Sequence, residues 1–244
     1  MTANYLKDLS NKYLLKEIFS HIEQKQAFEI VHYNKSLQEK LDLGLNDYKT
    51  YKNIEIELIP KYTSFNKFIN ILSKEDYSLI HIYFDNDFTH EIKRTYLTKE
   101  EKNIKKIKII LEKEFNSFKG LFENCECIEK IIFIKLNRKD ITDMSHMFSG
   151  CTSLEEIYFN KFNSINVTNM SSMLSYCYNL HNIEFNNFVT DNVINMNYMF
   201  YKCLSLKKIE NPNFNINKVE SKNDMLNDCP LSLRNFLDVN KIKF

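Results

Sequence analysis

Six cysteines stand at positions 125, 127, 151, 177, 203 and 229. Thiols can ligate metals, form disulfides or attack electrophiles, depending on their surroundings. With Cys127 set aside, the other five follow one another at a constant interval of 26 residues. A zinc site needs clustered ligands, such as a C-x-x-C pair with a second pair or histidines nearby. Cys125-x-Cys127 is too tight and lacks a second pair. Disulfides require Cα separations of ~4.4–6.8 Å, which stacked repeats would offer. A regular ladder, however, points its side chains in parallel and leaves an odd thiol. The spacing therefore predicts packing: a small, readily buried residue filling one corner of each repeat. No metal and no cofactor are expected, and Cys127, off the inward register, is expected to be an exposed thiol. The remaining chemistry is sparse. The three glycines, Gly44, Gly120 and Gly150, build no phosphate loop, and the six histidines form no H-E-x-x-H motif. No catalytic residue is assigned, and an enzyme is not expected.

The elements that would hold these cysteines emerge on alignment. Four residues before each aligned Cys stands Leu121, Met147, Met173, Met199 or Met225. Three after it comes Ile128, Leu154, Leu180 or Leu206, and six after it Ile131, Ile157, Ile183 or Ile209. Leu154-x-x-Ile157-x-Phe159 matches the strand segment of a leucine-rich repeat, and a 26-residue period lies within that class. Alternation sends Ile157 and Phe159 inward and Glu156, Tyr158 and Asn160 outward. Asp143 to Phe148, after Thr142, has apolar residues at helical spacing and predicts one short helical turn. The expected fold is an α/β solenoid: a leucine-rich-repeat-like parallel sheet with short helical turns, preceded by a small helical N-terminal region.

The segments 144–157 (Met-Ser-His-Met-Phe-Ser-Gly-Cys-Thr-Ser-Leu-Glu-Glu-Ile) and 167–173 (Val-Thr-Asn-Met-Ser-Ser-Met) resemble the BspA-type leucine-rich repeats of bacterial and protist proteins. The resemblance runs from about Phe118 to Leu233. It implies a solenoid used for protein recognition, often at cell surfaces, and hence an adhesin as one alternative role.

Upstream, residues 4–47 read as a helical region. Leu14, Ile18 and Ile22 recur at i, i+4, i+8, and Ser36 to Leu43 forms a further short helix ended by Gly44. Leu14 to Ile22 faintly resembles the first helix of an F-box, which implies a possible ubiquitin-ligase adaptor bound through residues 5–43. The other reading is a helical cap. Residues 48–111 read as a mixed α/β connecting region. Within it, Thr63 or Ser64 caps a helix holding Phe65, Phe68, Ile69 and Leu72. Ser78 to Phe84, Ile92 to Leu97 and Ile104 to Leu111 are strand candidates, and Ile107 and Ile109 start the parallel sheet. Residues 112–241 carry the repeats.

Composition bounds the function. Hydrophobic residues form 43% of the 244, including 19 Phe and 14 Tyr, enough to build a core. Lys and Arg number 33 against 32 Asp and Glu, so no field favours nucleic acid, and none is expected as a partner. No stretch approaches the ~18 apolar residues of a membrane span, and the charged N-terminus excludes the apolar core of a secretory signal. These features predict a soluble, cytoplasmic protein. The remaining reading is a protein partner bound on the outward strand positions, which vary between repeats. They form three rows: Lys130, Glu156, Asn182 and Lys208; Ile132, Tyr158, Glu184 and Glu210; Ile134, Asn160 and Asn186. Ile132, Ile134 and Tyr158 are the expected apolar anchor.

Overall fold

The computed structural model of the chain describes residues 34–41, 53–61, 66–71, 74–112, 117–136, 140–160, 164–185, 188–209 and 215–239. The chain divides into two compact units, Met1–Asn53 and Ile54–Phe244. In the first, α1 (Lys35–Leu41) is started by Asn34, whose Oδ1 accepts the Leu37 N–H at 3.1 Å. That bond satisfies one of the donors a helix start leaves orphaned. The rest of the region read as helical, including Leu14 to Ile22, lies outside the described residues.

The second unit is organised by one six-stranded sheet. Its strands are β1 (Ile54–Pro60), β2 (Ile80–Phe84), β3 (Ile107–Leu111), β4 (Ile128–Lys135), β5 (Glu156–Tyr158) and β6 (Asn182–Glu184), in the spatial order β2-β3-β1-β4-β5-β6. Among the described residues, short helices α2 (Lys74–Ser78) and α3 (Leu231–Val239) complete the regular elements, with one 3₁₀ turn at Lys99–Glu101. In β1, β2 and β3 burial alternates residue by residue. Ile54, Ile56, Leu58, Ile80, Ile82, Phe84, Ile107, Ile109 and Leu111 go to the core, while the Glu, Lys, His and Tyr residues, with Ile59 and Ile110, are half-buried on the other face, as period-two strands require.

This corrects the expected fold. Three strand pairings are antiparallel (β1 with β3, β1 with β4, β2 with β3) and two are parallel (β4 with β5, β5 with β6). The sheet is mixed and helices are few among the described residues, so this is not a parallel leucine-rich-repeat solenoid. The physical reason is β1. Ile56 faces Ile109 of β3 on one side and Phe133 of β4 on the other. β3 lies about one repeat upstream of β4 in sequence, yet β1 occupies the slot between them. Pairing between distant segments leaves no periodic trace in a sequence. Ile92 to Leu97 is likewise not a strand. It contributes a single bridge, Tyr96 to Lys67, and the Ile92 N–H to the Ile82 carbonyl at 2.8 Å. Phe68 and Ile69 are buried outside any helix.

The expected helical turns are also replaced. Between Met144 and Cys151 the odd-numbered amides of 147, 149 and 151 close local i→i−3 bonds onto Met144, His146 and Phe148. The even-numbered amides of 144, 146, 148 and 150 instead donate to the carbonyls of 169, 171, 173 and 175 in the next repeat, at 2.8–3.0 Å. A helix cannot send alternate amides sideways. Left-handed residues make this possible, at His146 (φ 58) and Gly150 (φ 72), and at the equivalent Ser172, Tyr176, Tyr198, Lys202, Asp224 and Asp228. Three successive turns open with a short polar hook: Asp143, Asn169 and Asn195 accept the amides of Ser145, Ser171 and Asn197 on their side-chain oxygens at 2.8–3.1 Å.

Between this turn ladder and the sheet lies the core. Phe133, Phe159 and Phe185 stack at 5.1 and 5.3 Å with rings within about 11° of parallel. Beside them four of the five repeat cysteines donate their Sγ–H to a carbonyl of the preceding repeat. Cys151 reaches Phe122, Cys177 reaches Phe148, Cys203 reaches Leu174 and Cys229 reaches Phe200, at 2.9–3.1 Å. All six thiols are free and buried. Cys127, expected to be exposed, is fully buried, with its Sγ 3.2 Å from the carbonyls of Asn66 and Lys67. It closes the contact between the 66–67 segment and the start of β4, a partner that no sequence spacing announces.

At the β2 edge, His81 lies between two carboxylates, Nδ1 2.8 Å from Glu91 and Nε2 2.8 Å from Glu112. Burial pulls its pKa down, but the hydrogen bonds from Glu112 and Glu91 outweigh that and hold it above the usual 6.5. A raised folded-state value means the stabilisation is complete below the unfolded pKa and fades as pH rises through the folded one. His81→Gln should therefore lower the melting temperature at about pH 6 and hardly at all at about pH 9. The effect is about 0.5 kcal/mol, because the group is partly exposed and solvent screens it. Thermal melts across pH check this, and an equal deficit at both values would refute the clamp.

Candidate functional site

The strand register decides which of the expected contact residues meet. Lys130, Glu156 and Asn182 lie side by side across β4, β5 and β6, and Ile132, Tyr158 and Glu184 form the next row. They are not a set of free side chains. Lys130 Nζ pairs with Glu156 Oε2 and sits 5.5 Å over the Tyr158 ring. The Tyr158 hydroxyl donates to Glu156 Oε2 at 3.1 Å, and Asn182 Nδ2 donates to the Tyr158 oxygen at 3.4 Å. The Lys130 hydrogen bond, followed by that of Tyr158, outweighs burial and holds the Glu156 carboxyl below its ordinary range. The Lys130 ammonium is raised in turn, chiefly by Glu156. His181 Nε2 approaches Glu156 Oε1 at 4.0 Å. Across these strands the polar members of the rows form one network (Lys130, Glu156, Tyr158, Asn182), with Ile132 half-buried beside it and Ile134 exposed at 43%. Asn160 and Glu184 are half-buried and Lys208 is exposed, while Asn186 and Glu210 lie outside the described residues.

Toward β1 and β3 the same face becomes a lattice of cross-strand ion pairs. Lys108 meets Glu55 at 2.7 Å, Lys106 meets Glu57 at 3.0 Å and Lys135 meets Glu55 at 3.7 Å. Opposite charges across strands add tenths of a kcal/mol each and fix register. They leave little unpaired charge there for a ligand.

A second group of side chains was missed by the sequence reading. On the turn ladder Tyr176, Tyr178, Tyr198 and Tyr201 meet edge to face, with centroid separations of 6.2 Å (176 to 178), 5.2 Å (176 to 201) and 5.7 Å (198 to 201). Lys202 Nζ lies 5.4 Å from the Tyr176 centroid and 5.3 Å from that of Tyr201. Tyr176 and Tyr198 occupy left-handed backbone positions, φ 61 and 57, and are exposed at 39% and 40%. The aligned repeats hold Asn124, Gly150, Lys202 and Asp228 at the first position and Gly120, His146, Ser172 and Asp224 at the second. A signal was present: tyrosines at two fixed repeat positions where no other repeat places one. Strand alternation carries no trace of it, because these residues lie on the turns.

The cysteines offer no nucleophile. Burial pushes Cys127 and Cys229 up to about 11 and the other four thiols well above their ordinary value, so thiolate is scarce at neutral pH. Among the described residues no group of three or more His, Cys, Asp or Glu is placed to hold a metal ion, and no helix is long and apolar enough to cross a membrane. One open groove of about 670 Å³ runs past Glu155, Asn179, His181, Leu204, Ser205, Lys207 and Lys208.

Residues 116–237 match the family described as Mycoplasma protein of unknown function, DUF285. That stretch is half of the 244 residues, and the chain belongs to this family. It takes in the turn ladder, β4 to β6, the cysteine column and the tyrosine cluster, and it leaves out β1 to β3. No curated protein and no solved structure matches the chain.

Proposed function

We propose that this chain is a non-enzymatic protein-interaction module whose outward β4–β6 face contacts a partner protein. The observation that carries the reading is the apolar pair on β4, half-buried Ile132 and exposed Ile134, next to Tyr158 on a face that also bears paired charges and the half-buried Ile59 and Ile110. Exposed aliphatics framed by satisfied polar groups resemble the anchor-and-rim plan of protein interfaces. The absence of an available thiolate and the engagement of His81 and Glu156 in ion pairs support a binding role over a catalytic one.

The test is capture of partners from the native cell. Ile132→Asp combined with Ile134→Asp should reduce recovery of a specific partner by about tenfold or more. Ile134→Asp alone should leave the unfolding midpoint almost unchanged, within about 0.5 kcal/mol for an exposed position. Unaltered capture by the double variant and by Tyr158→Ala would remove this face from the function.

A further inference from the structure

The tyrosine cluster uses none of the residues of the strand face and has a different chemistry. Its rings stand at 80–90° to one another, so they make no flat platform. Lys202 already covers the faces of Tyr176 and Tyr201. Sugars and nucleobases stack on open, coplanar ring faces, and this arrangement withholds them. What it presents instead is ring edges, hydroxyls and a held cation, the surface that protein segments engage at interface hot spots. Lys202 makes no ion pair with the described residues, unlike Lys106, Lys108 and Lys130.

The neighbouring groove extends the same charge. Leu204, exposed at 53%, follows Lys202 in the chain and lines the groove with His181 and Lys207. The groove's one carboxylate, Glu155, is engaged by Lys61 at 3.1 Å. Lys202 and Lys207 thus flank an apolar and aromatic strip, with Glu155 already paired.

The left-handed conformation of Tyr176 and Tyr198 is common to the turns, where His146, Lys202, Asp224 and Asp228 also adopt it, and the aligned Gly150 and Ser172 show that the turn accepts smaller residues at these two positions.

We infer that the ridge formed by Tyr176, Tyr198, Tyr201 and Lys202, continued by Leu204 into the adjoining groove, binds an acidic peptide segment of another protein. A carboxylate of that segment meets Lys202 and Lys207, and its aliphatic side chains lie against the tyrosine edges and Leu204. This goes beyond the strand-face reading, and the two can fail separately.

The probe is a displayed library of random short peptides panned on the full chain. Selected peptides should be rich in Asp or Glu interspersed with Leu or Ile. Their binding should fall about tenfold or more in the Tyr176→Gly, Tyr198→Ser double variant. Lys202→Glu should turn selection toward basic peptides. The double variant installs residues that the aligned turns already hold, so it should melt no lower than the parent chain, which separates lost contact from lost folding. Ile132→Asp with Ile134→Asp should leave this binding intact whatever it does to the strand face. Failure to enrich any peptide, enrichment of neutral or basic ones, or equal binding by the double variant overturns the proposal.

Discussion

Phe159→Ala is expected to lower the free energy of unfolding by about 3–5 kcal/mol, the range for removing a buried phenylalanine. Phe159 is fully buried and stacked between Phe133 and Phe185, with Phe148 and Phe188 at 6.1 and 5.1 Å around it. Its neighbours belong to separate repeats, each fixed by its own hydrogen bonds, so they cannot close together over the gap. The cost therefore includes a cavity term as well as lost transfer energy and lost ring contacts. Tyr158→Ala, one residue away but facing outward, supplies the contrast and should cost about 1 kcal/mol or less. Urea unfolding of both variants checks the pair through their midpoints at unchanged slope. A loss below about 1 kcal/mol for Phe159→Ala would show that the phenylalanine column is not what holds the repeats together.

That column was legible because it repeats. Phe133, Phe159 and Phe185 recur at the cysteine interval, and the inward positions Ile131, Ile157 and Ile183 pair across β4, β5 and β6 in register. Local alternation was also informative: Ile80–Phe84 and Ile107–Leu111 fall within segments read as strands. What the sequence hid was long-range partnership. Ile54-Glu-Ile-Glu-Leu-Ile-Pro60 alternates as plainly as any strand here, and the reading passed over it because it has no place in the 26-residue frame. Once β1 is placed between β3 and β4, the sheet becomes mixed and the parallel architecture fails. The short turn misled for a related reason. Met144, Met147 and Phe148 have helical spacing, yet the left-handed φ of His146 and Gly150 redirects alternate amides to the next repeat. Spacing reports which residues are buried, and two different backbones can bury the same set.

The site was legible only in part. Alternation correctly sent Lys130, Glu156 and Tyr158 to one face, but it could not say that they would satisfy one another. Charged and polar neighbours across strands pair when register allows, and such pairing reduces what a row of variable residues can offer a partner. The tyrosine cluster shows the converse. Tyr176, Tyr198 and Tyr201 come from two successive repeats at unlike positions, and only the stacking of turns brings them together.

Cys177→Asp is expected to cost about 3–5 kcal/mol at neutral pH, as an unpaired charge in the interior does. Cys177 is fully buried, and its Sγ–H donates to the Phe148 carbonyl at 3.1 Å. An ionised carboxylate there would lose its water and face a carbonyl oxygen that needs a donor. Protonated, the same group can donate as the thiol does, so its folded-state pKa should rise above the ordinary value of about 3.9. The sign follows from linkage. The folded state holds the proton more tightly than the unfolded chain, so the penalty sets in above the unfolded pKa and grows until the folded one is passed. Acid should stabilise this variant relative to the parent, whereas Glu156, whose folded pKa is lowered, contributes stability that acid removes. Cys177→Ala, which removes only the sulfur, should cost about 1 kcal/mol at any pH. Denaturant titrations of both variants at mildly acidic and neutral pH decide the matter. If the aspartate and alanine variants prove equally stable at neutral pH, water reaches this corner and the thiols are not packed as a dry column.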